Sequence, residues 1–172
     1  SADYNNERIF KIVKRINPKS IFSFYYRKMI PQSILDIPQY GAVNFHGSLL
    51  PKYRGRCPVN WHLLNGETKG GVTLHYMEKR PDAGDIIAQK EFPITETDTP
   101  LSVYSKLENS GRILIDENVN AIITGNCGRT PQDESIATYY GGRKPEDGII
   151  CWQWSTEKIY NLIRAVTKPY PG

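Results

Sequence analysis

The stretch Asn44–Trp61, "NFHGSLLPKYRGRCPVNW", decides how the rest of the chain is read. It continues the short apolar run "GAVNFHG", so Asn44 and His46 fall where a strand ends, ahead of a loop rich in Gly, Pro and cations. Side chains two apart on a strand point to the same side. An amide and an imidazole therefore share one face at a strand terminus. In open α/β sheets that is where ligands bind.

The flanking segments have the rhythm of an α/β protein. Upstream, "NERIFKIVKRIN" aligns Ile9, Phe10, Ile12, Val13 and Ile16 on one helical stripe that "PKS" stops. "SIFSFYY" reads as a buried strand, and "RKMIPQSILDIPQYG" as a connector interrupted by prolines. Downstream, "PVNWHLLNGE" is a short helix with Pro58 in its first turn and Asn65-Gly66 at its end. "GGVTLHYM" and "DIIAQKEFPI" are strands joined as a hairpin-like pair around "EKRPDAGD". From Pro100 to about residue 123 the pattern is helical, with Leu101, Tyr104, Leu107, Ile113, Leu114 and Ile122 as core positions and Gly125 closing it. "STEKIYNLIRAV" is a last helix N-capped by Ser155. Helix, strand, connector, strand predicts an α/β fold with a mostly parallel central sheet.

At 172 residues the chain suits one domain with a substantial core. An apolar content of 39% with 23% charged residues excludes a disordered chain, and no apolar run is long enough to cross a bilayer. The N-terminal residues lack the pattern of a secretory signal, which predicts a cytoplasmic location and no membrane insertion. Cys57, Cys127 and Cys151 have no paired spacing, so neither a disulfide framework nor a zinc site is expected, and Cys57 reads as a packing residue. His46, His62 and His75 have no metal-ligand spacing either. A net charge of +4 without a basic run fits a small anionic substrate as easily as nucleic acid, though it does not encourage a tRNA partner, which would expect a larger basic surface.

The chemistry sits in few residues. Asn44 can cap a turn and His46 can be an ordinary half-buried histidine. The turn Asp82-Ala83-Gly84-Asp85 changes that balance if it lies beside His46, because a nearby carboxylate favours the imidazolium. Amide, imidazole and carboxylate together suit acyl transfer, with Asn44 as oxyanion donor and His46 managing protons. Lys52, Arg54 and Arg56 form either a positive wall to the cleft or ordinary solvated surface, and Asn161 and Arg164 are weak candidates to face an acceptor.

"NFHGSLLPKYRG", followed by "GVTLH" and "RPDAGDIIAQ", resembles the folate-dependent formyltransferase family, whose pattern is N-x-H, S-L-L-P-x-Y-R-G and a D-x-G turn. The likeness runs from "IFSFYYRKMIP" to "IYNLIRAVTKPYPG". Within the family, "HGSLLPKYRGRCPVNWHLLNGE" and "FSFYYR" are most similar to UDP-4-amino-4-deoxy-L-arabinose formyltransferases, which serve lipid A modification. Gly47 stands where methionyl-tRNA and glycinamide ribonucleotide relatives usually carry Pro.

The resemblance implies a Rossmann-like formyltransferase fold that lacks its N-terminal strands in this chain. Residues 1–172 would be the central part of the catalytic domain, and 167–172 the start of a linker to a C-terminal domain expected to be absent from this chain. It implies Asn44, His46 and Asp82 as catalytic, Asp82 raising the pKa of His46, and 10-formyltetrahydrofolate as cosubstrate without a metal. That folate would lie on Lys28, Met29 and Ile30, on Arg56, and on Glu78, Lys79, Arg80, Pro81 and Asp82. The implied partner is a nucleotide-sugar amine. A dTDP-amino sugar, methionyl-tRNA, or a non-catalytic folate- or nucleotide-binding role are the alternatives. Oligomerisation stays open.

Overall fold

The computed structural model describes residues 2–170. Helix α1, Ala2–Ile16, precedes strand β1, Ile21–Phe24; the short helix α2, Gln32–Leu35, leads into β2, Ala42–His46. Next come the two-residue strand β3, Arg54–Gly55, the helix α3, Pro58–Leu64, and the hairpin of β4, Lys69–Tyr76, with β5, Ile86–Pro93. The long helix α4, Pro100–Thr124, the short strand β6, Tyr139–Tyr140, and helix α5, Thr156–Val166, complete the order.

The main sheet runs β1-β2-β4-β5. β1 and β2 are parallel, and this is the parallel part of the sheet within the chain. β2 with β4 and β4 with β5 are antiparallel; for the second pair, the connection at residues 77–85 is too short for the crossover that parallel strands need. β3 and β6 pair in parallel as a second, two-stranded sheet. No helix among the described residues is long and apolar enough to cross a membrane.

The core lies where α4 crosses one face of the sheet. Val43 and Phe45 of β2 and Val72 and Leu74 of β4 pack with Val103, Leu107, Leu114 and Ile122 of α4. Gly111 permits the close approach, since a Cβ there would come within 2.5 Å of the Phe45 ring. Of the expected α4 core positions, Leu107, Leu114 and Ile122 are buried and Tyr104 is half-buried. Leu101 (58% exposed) and Ile113 (40%) are not core positions. Each sits about 100° or more around the helix from the buried Val103–Leu107–Leu114 stripe. The α1 stripe forms, but Ile9, Val13 and Ile16 line an apolar groove against Ile21, Phe22 and Phe24 of the edge strand β1.

Of the expected linker 167–172, residues 171 and 172 lie outside the described residues. Tyr170 is held to the body of the protein through its hydroxyl, 2.7 Å from that of Tyr104.

The start of α4 carries a carboxylate knot. Asp98 is buried and accepts from Thr95 N–H (2.7 Å), Thr95 Oγ1 (3.0 Å), Ser102 Oγ (2.7 Å) and the Lys106 ammonium. Burial pushes its pKa up, but Lys106 and these hydrogen bonds outweigh it and hold the carboxyl at about 2. A depressed folded pKa contributes stability above the unfolded value of about 4 that is lost as pH falls through 2. Asp98→Asn is expected to cost about 2 kcal/mol at pH 7, a gap that closes between pH 4 and 2 in denaturant unfolding.

Candidate active site

β2 alternates core and cleft: Val43 and Phe45 enter the core, while Asn44 and His46 share the opposite face. Antiparallel pairing then sets His75 of β4 opposite Asn44 and Thr73 opposite His46. After β4 the chain turns beside Ala42, whose carbonyl accepts from Met77 N–H at 2.7 Å. The loop brings the Asp82 carboxylate between the two imidazoles: Oδ1 is 3.6 Å from His46 Nδ1 and 3.6 Å from His75 Nε2. Amide, imidazole and carboxylate meet, with His75 as a fourth member.

Carbonyl partners fix the proton positions, since a carbonyl only accepts. His46 Nε2–H donates to Tyr53 O at 2.7 Å, which leaves Nδ1 as the free nitrogen facing Asp82. His75 Nδ1–H donates to Tyr76 O at 2.9 Å, so its Nε2 accepts from Asn44 Nδ2 at 3.2 Å. The free acceptors here are His46 Nδ1 and Asp82 Oδ1, a pair able to take up one proton from a substrate.

Electrostatics correct one expectation. Burial lowers the pKa of His46, and this outweighs the upward pull of Asp82 and of the Tyr53 carbonyl. Asp82 thus acts in the expected direction, and burial works against it more strongly. Asp82 itself is pushed up by burial and brought down further by its surroundings, ending below the usual carboxylate range; with Nε2 of His75 and Nδ1 of His46 both bare, the hydrogen-bond donor to it is Gly55 N–H. His62 is buried against the Tyr53 ring (centroids 4.3 Å apart) and lowered to about 4, by burial first and His46 second.

Two supports hold Asp82, whose backbone is left-handed at φ 54°. Gly55 N–H donates to its Oδ2 at 2.8 Å. Gly55 has φ 99°, and a Cβ would come within 2.3 Å of Tyr140 O, so glycine is required there. The second support is Gln132, whose Nε2 donates to the carbonyls of Asp82 (2.9 Å) and Gly84 (2.6 Å). Gln132 is held in turn by Arg54, which donates to its Oε1 from Nε and Nη2 at 3.1 and 2.8 Å.

Arg54 therefore corrects the expected positive wall. It is 0% exposed, spent on Gln132, Glu134 and the Tyr139 hydroxyl, while Lys52 and Arg56 stay exposed. Arg56 lies against Gly142. Glu78, Lys79, Arg80 and Pro81 ride the loop that carries Asp82, with Arg80 paired to Glu78 and Glu134. Lys28 and Met29 (57% exposed) are on the loop leaving β1, at the sheet end where β2 also finishes, and Ile30 turns into the α1 groove. Among the described residues no hydrogen bond or ion pair joins Lys28–Ile30 to Asn44, His46 or Asp82.

Asn161 and Arg164 do not face a cleft: both are buried, Arg164 donating to Asn161 Oδ1 (2.8 Å) and Thr95 O (2.9 Å) to brace the start of α4. Among the described residues no group of His, Cys, Asp or Glu is placed to hold a metal. The sequence reading missed His75 and Gln132 as site residues. The period-two pattern of "TLH", which sends Thr73 and His75 to one face, was the available signal for the first.

The family model described as formyl transferase matches residues 1–119, more than half the chain and all of the strands carrying this site. The chain belongs to the formyl transferase family. A second model, the formyl transferase C-terminal domain, matches residues 143–172. Among solved structures, the formyltransferase PseJ from Anoxybacillus kamchatkensis, in complex with UDP-4,6-dideoxy-4-formamido-L-AltNAc and tetrahydrofolate, is 32% identical, with a TM-score of 0.66 over 72% of this chain. The N-formyltransferase from Helicobacter canadensis, with folinic acid and dTDP-3-aminofucose, is 28% identical, with a TM-score of 0.75 over 86%. HypX from Aquifex aeolicus, in complex with tetrahydrofolic acid, shares the fold at 21% identity, with a TM-score of 0.80 over 95%. The chain spans 64%, 55% and 28% of those three chains respectively.

Gln132 lies in the segment that neither formyl transferase model covers. Gln132→Ala would strand the Asp82 and Gly84 carbonyls and Arg54 Nε. The expected loss is about 1–3 kcal/mol in denaturant unfolding. Gln132→Glu keeps the acceptor for Arg54 but sets a carboxylate oxygen against both carbonyls, so it should not recover the stability lost in Ala.

Proposed function

We propose that this chain transfers a formyl group from 10-formyltetrahydrofolate to the primary amine of a nucleotide-linked amino sugar. The observation that carries the reading is the Asp82 carboxylate 3.6 Å from His46 Nδ1, with Asn44 on the same strand face. Membership of the formyl transferase family and the nucleotide sugars named with PseJ and the Helicobacter canadensis enzyme support it. The narrower acceptor, UDP-4-amino-4-deoxy-L-arabinose in cytoplasmic lipid A modification, rests on the likeness of "HGSLLPKYRGRCPVNWHLLNGE".

The residues present fit a folate. Among the described residues, the main-chain groups of Glu78, Lys79 and Arg80, and of Lys28, Met29 and Ile30, make no backbone–backbone hydrogen bond. They are available to the donor and acceptor edge of a pterin, with Met29 as apolar contact and exposed Arg56 for an anionic tail. When bound, the folate supplies the formyl carbon.

The chain's own residues manage charge and protons. The attacking amine must be neutral and must lose a proton as its bond to the formyl carbon forms, and the departing nitrogen must gain one. His46 Nδ1 and Asp82 Oδ1 are the acceptors suited to that proton. The remaining N–H of Asn44 suits the formyl oxygen as it becomes negative. No covalent enzyme adduct is required.

Acceptors assayed side by side with 10-formyltetrahydrofolate, namely UDP-4-amino-4-deoxy-L-arabinose, dTDP-3-aminofucose and methionyl-tRNA, test the substrate class. Formylation of the tRNA and of neither sugar overturns it. Asn44→Ala is expected to lower kcat by about 10²–10³ and His46→Ala by about 10²–10⁴. Undiminished turnover in both overturns the mechanism.

The pH profile follows from the lowered pKa of His46. The base stays neutral below its ordinary value of about 6.5, so the acid limb of kcat/KM should lie below that pH. Asp82→Asn removes an upward pull on the imidazole, and the limb of its residual activity should move lower still.

A further inference from the structure

A side-chain amide has two ends of nearly equal size, one that donates and one that accepts. Turning the Asn44 amide over would present its oxygen, not its N–H, to a developing negative charge. Whatever fixes that orientation decides whether Asn44 can stabilise an oxyanion at all.

We infer that His75 is the positioning residue that holds the Asn44 amide in its donating orientation, an inference that rests on the formyl-transfer reading above. The chain of constraint starts at Tyr76. Its carbonyl accepts from His75 Nδ1–H at 2.9 Å, so Nε2 offers a lone pair, and Asn44 Nδ2 is 3.2 Å from it. His75 is 1% exposed, which leaves little water to replace either partner. The β4–β5 pairing shifts register between Leu74 and His75, and such a bulge re-aims a side chain.

Reversal of the amide is opposed because its oxygen would meet the Nε2 lone pair. The Asp82 carboxylate lies 3.6 Å from the same nitrogen. The other group facing His75 is the His46 ring, edge-on with centroids 6.5 Å apart. With one Asn44 N–H on His75, the second is free for substrate. His75 thus acts through Asn44 and touches no reacting atom.

The test is a double-mutant cycle on the full-length protein. His75→Leu is expected to lower kcat about tenfold to hundredfold, approaching the loss of an oxyanion donor, with KM changed less than about twofold. His75→Gln restores an acceptor and should recover most of kcat. His75→Leu combined with Asn44→Ala should be no slower than Asn44→Ala alone. Multiplying effects, a Gln variant no better than Leu, or an undiminished Leu variant each overturn the inference.

Imidazole ¹⁵N spectra give a readout that needs neither turnover nor a folded Leu variant. His75 should show a protonated Nδ1 and a bare Nε2, and a protonated Nε2 at neutral pH overturns the inference. If no acceptor is turned over, the formyl-transfer reading fails while these spectra still decide the role of His75.

Discussion

The antiparallel register of β2 on β4 is the constraint from which the site follows. It sets Asn44 against His75 and His46 against Thr73 on one face, and Phe45 against Leu74 on the other. Because side chains alternate, a slip of one residue would send the amide and imidazole into the core and bring Val43 and Phe45 out. The register is secured by apolar burial: Val43, Val72 and Leu74 are fully enclosed beneath α4, and Gly111 lets the helix close onto Phe45. The same packing that stabilises the sheet therefore aims the polar side chains.

The loop carrying Asp82 depends on residues far along the chain. Arg54 sits wholly inside the protein, and a buried guanidinium is tolerated only when its donors are met. Glu134, Gln132 and the Tyr139 hydroxyl meet them, so the stretch after α4 is bound to β3 by a charge that has nowhere else to go. Arg54 and Gly55 are adjacent: one anchors Gln132, which grips the Asp82 main chain, and the other grips the carboxylate. Carboxylate and backbone are thus fixed from a single point of the basic loop.

Local signals in the sequence were read correctly where the physics is local. Ser155 caps α5 through the Lys158 N–H, Gly125 ends α4 with φ 76°, and Pro100 opens it. Asn44, His46 and Asp82 could be picked out because their spacing belongs to a motif. For His75 the alternation in "TLH" gives only a face, since its part depends on which strand pairs with which, and in what register. Arg54 looked like surface because the partners that bury it lie about eighty residues away, and the main-chain acceptor Thr95 O of Arg164 is likewise distant, 69 residues off. The direction of the His46 shift was missed for a related reason: a nearby carboxylate can be guessed from a turn, but the depth of burial that outweighs it cannot.

Tyr53 joins two parts of the molecule at a left-handed backbone position, φ 61°, costly for a bulky side chain. Its carbonyl holds the His46 proton, while its ring stacks on Tyr140 with centroids 4.8 Å apart and its hydroxyl reaches Glu67 and Asn65. Trp61 of α3 continues the stack on Tyr140. The aromatic seam and the imidazole are consequently joined through a single residue. A change that shifted the Tyr53 main chain would displace the atom that decides which nitrogen of His46 is bare.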